Sequence, residues 1–130
     1  MGRKVELENI IIGTLLDDVG DEYYIDECRS CITKDMFSDE VNKRIYDLIM
    51  EQYAKGEDTT PLGLYQAYGQ SVVDIIPAIL EKVTDYSFTH KKSFYNKRQW
   101  LAAEIFDIIP QFTDIQFSDY VNAFVQMSSL

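Results

Sequence analysis

Two cysteines three residues apart, Cys28 and Cys31, are the side chains whose type and spacing first suggest chemistry. A CxxC pair could be a redox couple or half of a metal site. A zinc site needs four ligands, and the only further histidine is the distant His90. A redox pair belongs beside a strand-to-helix junction, and no stretch of this chain shows the period-two alternation of a strand. The expectation is therefore two thiols packed in the core, where free cysteine is commonly found. The acidic run Asp17, Asp18, Asp21, Glu22, Asp26 and Glu27 lacks the alternate-position spacing and closing glutamate of a calcium loop, and reads as a solvated face. No glycine is followed by lysine, so no phosphate-cradling Gly-x-x-x-x-Gly-Lys loop exists. Lacking paired carboxylates in a recognisable spacing as well, the chain is expected to have no catalytic, cofactor or metal site and to be no enzyme.

One basic cluster stands out against a formal net charge of −10. Lys91, Lys92, Lys97 and Arg98 lie among Phe88, Phe94, Tyr95 and Trp100, a combination that could follow a single-stranded nucleic acid. The alternative is a solvated helix start beside an apolar face, which the acidic whole favours. Duplex binding is disfavoured by the same charge, because counterion release needs clustered lysine and arginine.

The elements that must position these residues all read as helices. At 130 residues the chain has room for one domain with a real core. The best-bounded stretch runs from Phe37 to Gly56, with Phe37, Val41, Ile45, Leu48, Ile49, Gln52 and Tyr53 on one stripe. Ser38 or Asp39 can cap its start, Lys55 and Gly56 mark its end, and the rest of the fold is expected to be arranged around it. Before it, residues 6–18 form a helix apolar on nearly every side, with Gly13 placed for a close helix crossing. Residues 21–31 follow as a second helix. Thr60 and Pro61 open a fourth helix that ends at Gly69. A fifth begins near Asp74, because Pro77 is tolerated only in a first turn, with Ile76, Ile79, Leu80 and Val83 inward.

Beyond residue 86, periodicity predicts a long helix up to Pro110 and a last one capped by Ser118, joined as an antiparallel hairpin. The class is thus all-α: a compact helical bundle of about five helices over residues 1–86, then a helical hairpin over 87–130, in a single domain. The hairpin carries more apolar surface than two helices can cover. Either it folds back on the body or it pairs with another copy.

Two stretches, VELENIIIGTLLDD and KDMFSDEVNKRIYDLIMEQYAKGEDTT, together resemble the N-terminal domain of DnaB-type replicative DNA helicases. Glu6, Glu8, Ile11, Ile12, Gly13, Leu15 and Asp18 carry the first likeness; Asp35, Phe37, Ile45, Tyr46 and Gly56 carry the second, with Leu62 and Leu64 following. Order and spacing fit through the hairpin as well. The sequence departs at Asn42, where the family usually has histidine, and at Asp58 and Thr60, where it usually has proline and aspartate after the glycine turn.

The resemblance implies a collar domain that pairs through its hairpin and receives primase or a helicase loader, meeting DNA only through a motor domain that is not in this chain. Partners are then primase or loader and the chain itself, as a homodimer or higher ring. Phe94, Trp100, Ile105, Phe106, Ile109, Tyr120 and Phe124 are the residues expected at the self-association seam. The alternatives are a free-standing helicase-like regulator or decoy of a replication complex, and a helical nucleic-acid-binding module. No apolar run is long enough to span a membrane and the start MGRKVELE lacks a signal peptide's apolar region, so a cytoplasmic location is expected.

Overall fold

A helix that is apolar all round has to be enclosed on all sides, and in the computed structural model that helix is α1, Arg3–Leu16. The structure describes residues 2–17, 22–87 and 116–129. Ten consecutive residues of α1, from Leu7 to Leu16, are buried. Around it lie α2 (Glu22–Arg29), a 3-10 turn (Lys34–Met36), α3 (Glu40–Ala54), α4 (Pro61–Tyr68), α5 (Gln70–Val73), α6 (Ile76–Tyr86) and α7 (Phe117–Ser128). Among the described residues every element is helical, which makes the domain all-α. The most extensive contacts of α1 are with α6, then α7, then α3. The hub is therefore α1, and α3, expected to hold that place, packs against it by one stripe: its buried residues are Asn42, Ile45, Tyr46, Ile49 and Gln52.

Local chemistry sets the boundaries. The Asp39 carboxylate accepts from Val41 N–H (2.8 Å) and Asn42 N–H (3.3 Å), capping α3. At the other end Gly56 (φ +71°) leaves the helix through the left-handed region, and Gly69 (φ +53°) does so after α4. Thr60 Oγ1 accepts from Gly63 N–H at 3.3 Å, with Pro61 in the first turn. Between α4 and α6 sits the four-residue α5, which periodicity did not separate from the following apolar run. Pro77 lies in the first turn of α6 as its missing N–H requires. Leu80, expected inward, is 51% exposed, because α6 buries Ile79 and the next position is turned about 100° away.

The last helix starts differently from expectation. Gln116, not Ser118, is the N-cap: its side chain accepts from Asp119 N–H, while Asp119 Oδ2 accepts from Gln116 N–H at 2.8 Å. From that start α7 packs on α1 and α2, so the described end of the segment folds back on the body. The long helix expected up to Pro110, and with it the hairpin turn, lies outside the described residues.

Candidate interaction surfaces and the buried polar junction

Glu8 and Asn9 interrupt the apolar run of α1, and both are buried. Polar groups removed from water must find partners, and these do. The Glu8 carboxylate accepts from Ser38 N–H (2.8 Å), Asp39 N–H (3.2 Å) and Asn42 Nδ2–H (3.3 Å). Asn42 Nδ2 also donates to Asn9 Oδ1 at 3.1 Å, and the same oxygen accepts from Lys82 Nζ on α6. Lys4 Nζ adds donations to the Met36 carbonyl and to Ser38 Oγ (3.0 Å). Three helices are thus fixed in register by one chain of directional bonds. Burial pulls the Lys82 amine below the ordinary lysine range, while the carboxylates of Asp39, Glu81, Glu8 and Glu6 pull it back up.

Gly13 explains how α6 can lie so close to α1. A Cβ at this position would run into the Lys82 carbonyl oxygen and come within 3.0 Å of Ser87 N and Tyr86 C. The close crossing expected from the glycine is what the structure contains. Nearby, Ser87 Oγ donates to the buried Asp17 carboxylate at 2.6 Å, so the first member of the acidic run belongs to this crossing.

Among the described residues the remaining acids do not gather into a cation site. Asp26 accepts from Tyr53 OH at 2.7 Å and lies beside Arg29, while Asp18 and Asp21 fall outside the described residues. Among the described residues no group of three or more His, Cys, Asp or Glu side chains could hold a metal. The two cysteines part company. Cys28 is buried, and burial pushes its thiol well above the usual range, but Cys31 is exposed, contrary to the core position expected for it. The helix ends at Arg29, so Cys31 sits in the turn beyond and points its Sγ–H at the Glu27 carbonyl (3.3 Å).

The seam residues expected for self-association divide as well. Tyr120 and Phe124 are fully buried within this chain, with the Phe124 ring 4.9 Å from that of Phe37 and Lys4 Nζ 5.6 Å from its centroid. They serve the chain's own core rather than an open face, because α7 lies against α1. Phe94, Trp100, Ile105, Phe106 and Ile109 lie outside the described residues, and so do Lys91, Lys92, Lys97 and Arg98 of the basic cluster.

Exposed apolar side chains are concentrated elsewhere. Tyr23, Leu62, Tyr65, Val73 and Leu80 are the large ones among the described residues, and four of the five belong to α4, α5 and α6. Sequence reasoning overlooked both this face and the buried junction. The junction was signalled by Glu-Asn inside an apolar helix. For the face the signal was apolar content in α4–α6 exceeding what one stripe can bury.

The buried acid, amides and amine of this helical body are thus spent on joining its own helices. The chain belongs to the DnaB-like helicase N-terminal domains: the family described as "DnaB-like helicase N terminal domain" matches residues 2–91. The residues that carried the resemblance find their places here: Glu8 in the junction, Gly13 at the crossing, Phe37 against Tyr46 (4.9 Å) and Phe124, and Gly56 at the end of α3. No curated protein and no solved structure matches the chain. Among the described residues no helix is long and apolar enough to cross a membrane.

Proposed function

We propose that this chain is a non-catalytic interaction and oligomerisation domain of the DNA replication machinery, a helicase collar that pairs with its own kind and receives primase or a helicase loader. The observation that carries this reading is family membership over residues 2–91, joined to a body whose chemistry is turned inward. Self-pairing is assigned to the segment 87–115, through Phe94, Trp100, Ile105, Phe106 and Ile109. Tyr120 and Phe124 instead hold α7 on α1.

Light scattering across a concentration series tests the pairing. The expected result is a mass above the monomer that falls in Phe106→Ala and Ile109→Ala, while helical content stays unchanged. A monomer at every concentration overturns it. Titration with primase and with a loader tests the receiving role, and absence of binding to either removes it.

A further inference from the structure

Residues 57–87 carry five acidic side chains and one basic one: Glu57, Asp58, Asp74, Glu81 and Asp85 against Lys82. The single cation is turned inward to Asn9, while Glu57, Asp58, Asp74 and Glu81 are exposed. Asp74 is matched by Arg44 of α3 at 3.1 Å. On the same three helices Leu62 is 62% exposed, Tyr65 48%, Val73 46% and Leu80 51%. Helix α4 packs against both α5 and α6, which brings the three helices that carry these side chains together. Exposed apolar clusters edged by charge mark interaction sites.

From this we infer that the α4–α6 face docks a cationic amphipathic helix of a partner protein, its apolar stripe covering Leu62, Tyr65 and Leu80 and its lysines and arginines meeting Glu57, Asp58, Glu81 and Asp85. The sign of the charge decides the occupant. A nucleic acid would be repelled, and an acidic helix would face like charges, whereas a basic helix gains steering and register from the acids. Helix-in-groove docking supplies the affinity through a few large apolar anchors. This inference rests on the receiving role proposed above and names the surface and the chemistry of what is received.

The test uses the full chain and two synthetic helical peptides with the same leucine stripe, one flanked by lysine and arginine, the other by glutamate. Fluorescence anisotropy gives affinity and amide chemical shifts give location. The cationic peptide is expected to bind with shifts confined to α4–α6, more weakly as salt rises. Glu81→Lys with Asp85→Lys, and separately Tyr65→Ala with Leu80→Ala, are expected to weaken it about tenfold. Glu81 is exposed, Tyr65 and Leu80 are half exposed and Asp85 is half-buried, so every variant is read only with its helical content shown to be unchanged. The inference is overturned if the acidic peptide binds equally well, if the shifts fall on other helices, or if neither peptide binds. It is also overturned if the chain alone self-associates through this face in a way that Leu80→Asp abolishes. A primase or loader that binds the chain but leaves α4–α6 unshifted sinks this inference and spares the collar reading; a partner that never binds sinks the collar reading itself.

Discussion

The junction of α1, α3 and α6 and the seam along which α7 lies on α1, on α2 and on Phe37 ahead of α3 join helices of one body by opposite means. At the junction a buried carboxylate takes three donors and two amides hand the connection on to Lys82. At the seam, rings meet rings: Tyr24 stands edge-on to Phe117 at 4.8 Å, and Phe37 lies 4.9 Å from Phe124. The seam also sets two acids on facing helices, Glu27 on α2 and Asp119 on α7. Glu27 Oε2 is buried with no hydrogen-bond partner among the described residues. Directional bonds fix register and tolerate little change. Apolar contact supplies energy but is non-directional, so α7 is held chiefly by buried area. The junction defines the fold; the seam is where α7 can respond to its surroundings.

The largest expected effect breaks the seam. Phe124→Ala removes a fully buried ring and should cost about 3–5 kcal/mol in chemical denaturation. If α7 contributes little to the body, the loss will be under about 1 kcal/mol, and the comparison fails on its apolar side. The junction comes next. Glu8→Gln keeps the volume but sets an amide against the N–H groups of Ser38 and Asp39, and should cost about 2–3 kcal/mol. A double-mutant cycle with Asn42→Ala sharpens the point, since a true shared network couples the two by about 0.5–3 kcal/mol and independent sites do not couple. Gly13→Ala follows. The added methyl meets the backbone of α6 rather than a movable side chain, so a net loss of about 1–2 kcal/mol is expected despite the gain in helix propensity. A more stable variant would mean that α6 shifts easily and that the crossing is not fixed.

Much of this arrangement could be read from residue order because local and tertiary signals agreed. Asp39, Thr60, Pro61 and Gly56 do at the helix ends what their side chains suit them to do. A helix apolar on nearly every side had to be buried, although the hub was expected at α3, and Gly13 inside it had to mean close approach. Other features were hidden for physical reasons. Periodicity tells which residues share a stripe but not which neighbour covers it, so Tyr120 and Phe124 read equally well as core or as seam. Leu80 is one step past the buried Ile79 and Cys31 one step before the buried Ile32, and residue type alone cannot show on which side of that step the core ends. The Asn42–Glu8 contact spans thirty-four positions, and sequence spacing says nothing about such a distance.

The smallest effect concerns pH, and it separates the two regions most cleanly. Burial first, and the Asp119 carboxylate second, raise the Glu27 carboxyl above its ordinary value of 4.5, with Tyr23 opposing them through a hydrogen bond. A carboxyl raised in the folded state holds its proton there after the unfolded chain has lost it. Its favourable contribution is therefore complete below the ordinary value and is lost as pH rises through the raised one. Lowering the pH from neutral toward that window should tighten α7 on α2, read as higher protection of the α7 amides once the intrinsic pH dependence of exchange is divided out. Glu27→Gln should make that protection insensitive to pH over the same window, because Glu27 then takes up no proton. The amides of α3 beside Glu8 serve as the internal control. Were their exchange to follow the α7 amides in both proteins, the two regions would open as one unit and the distinction between a fixed junction and a responsive seam would fall.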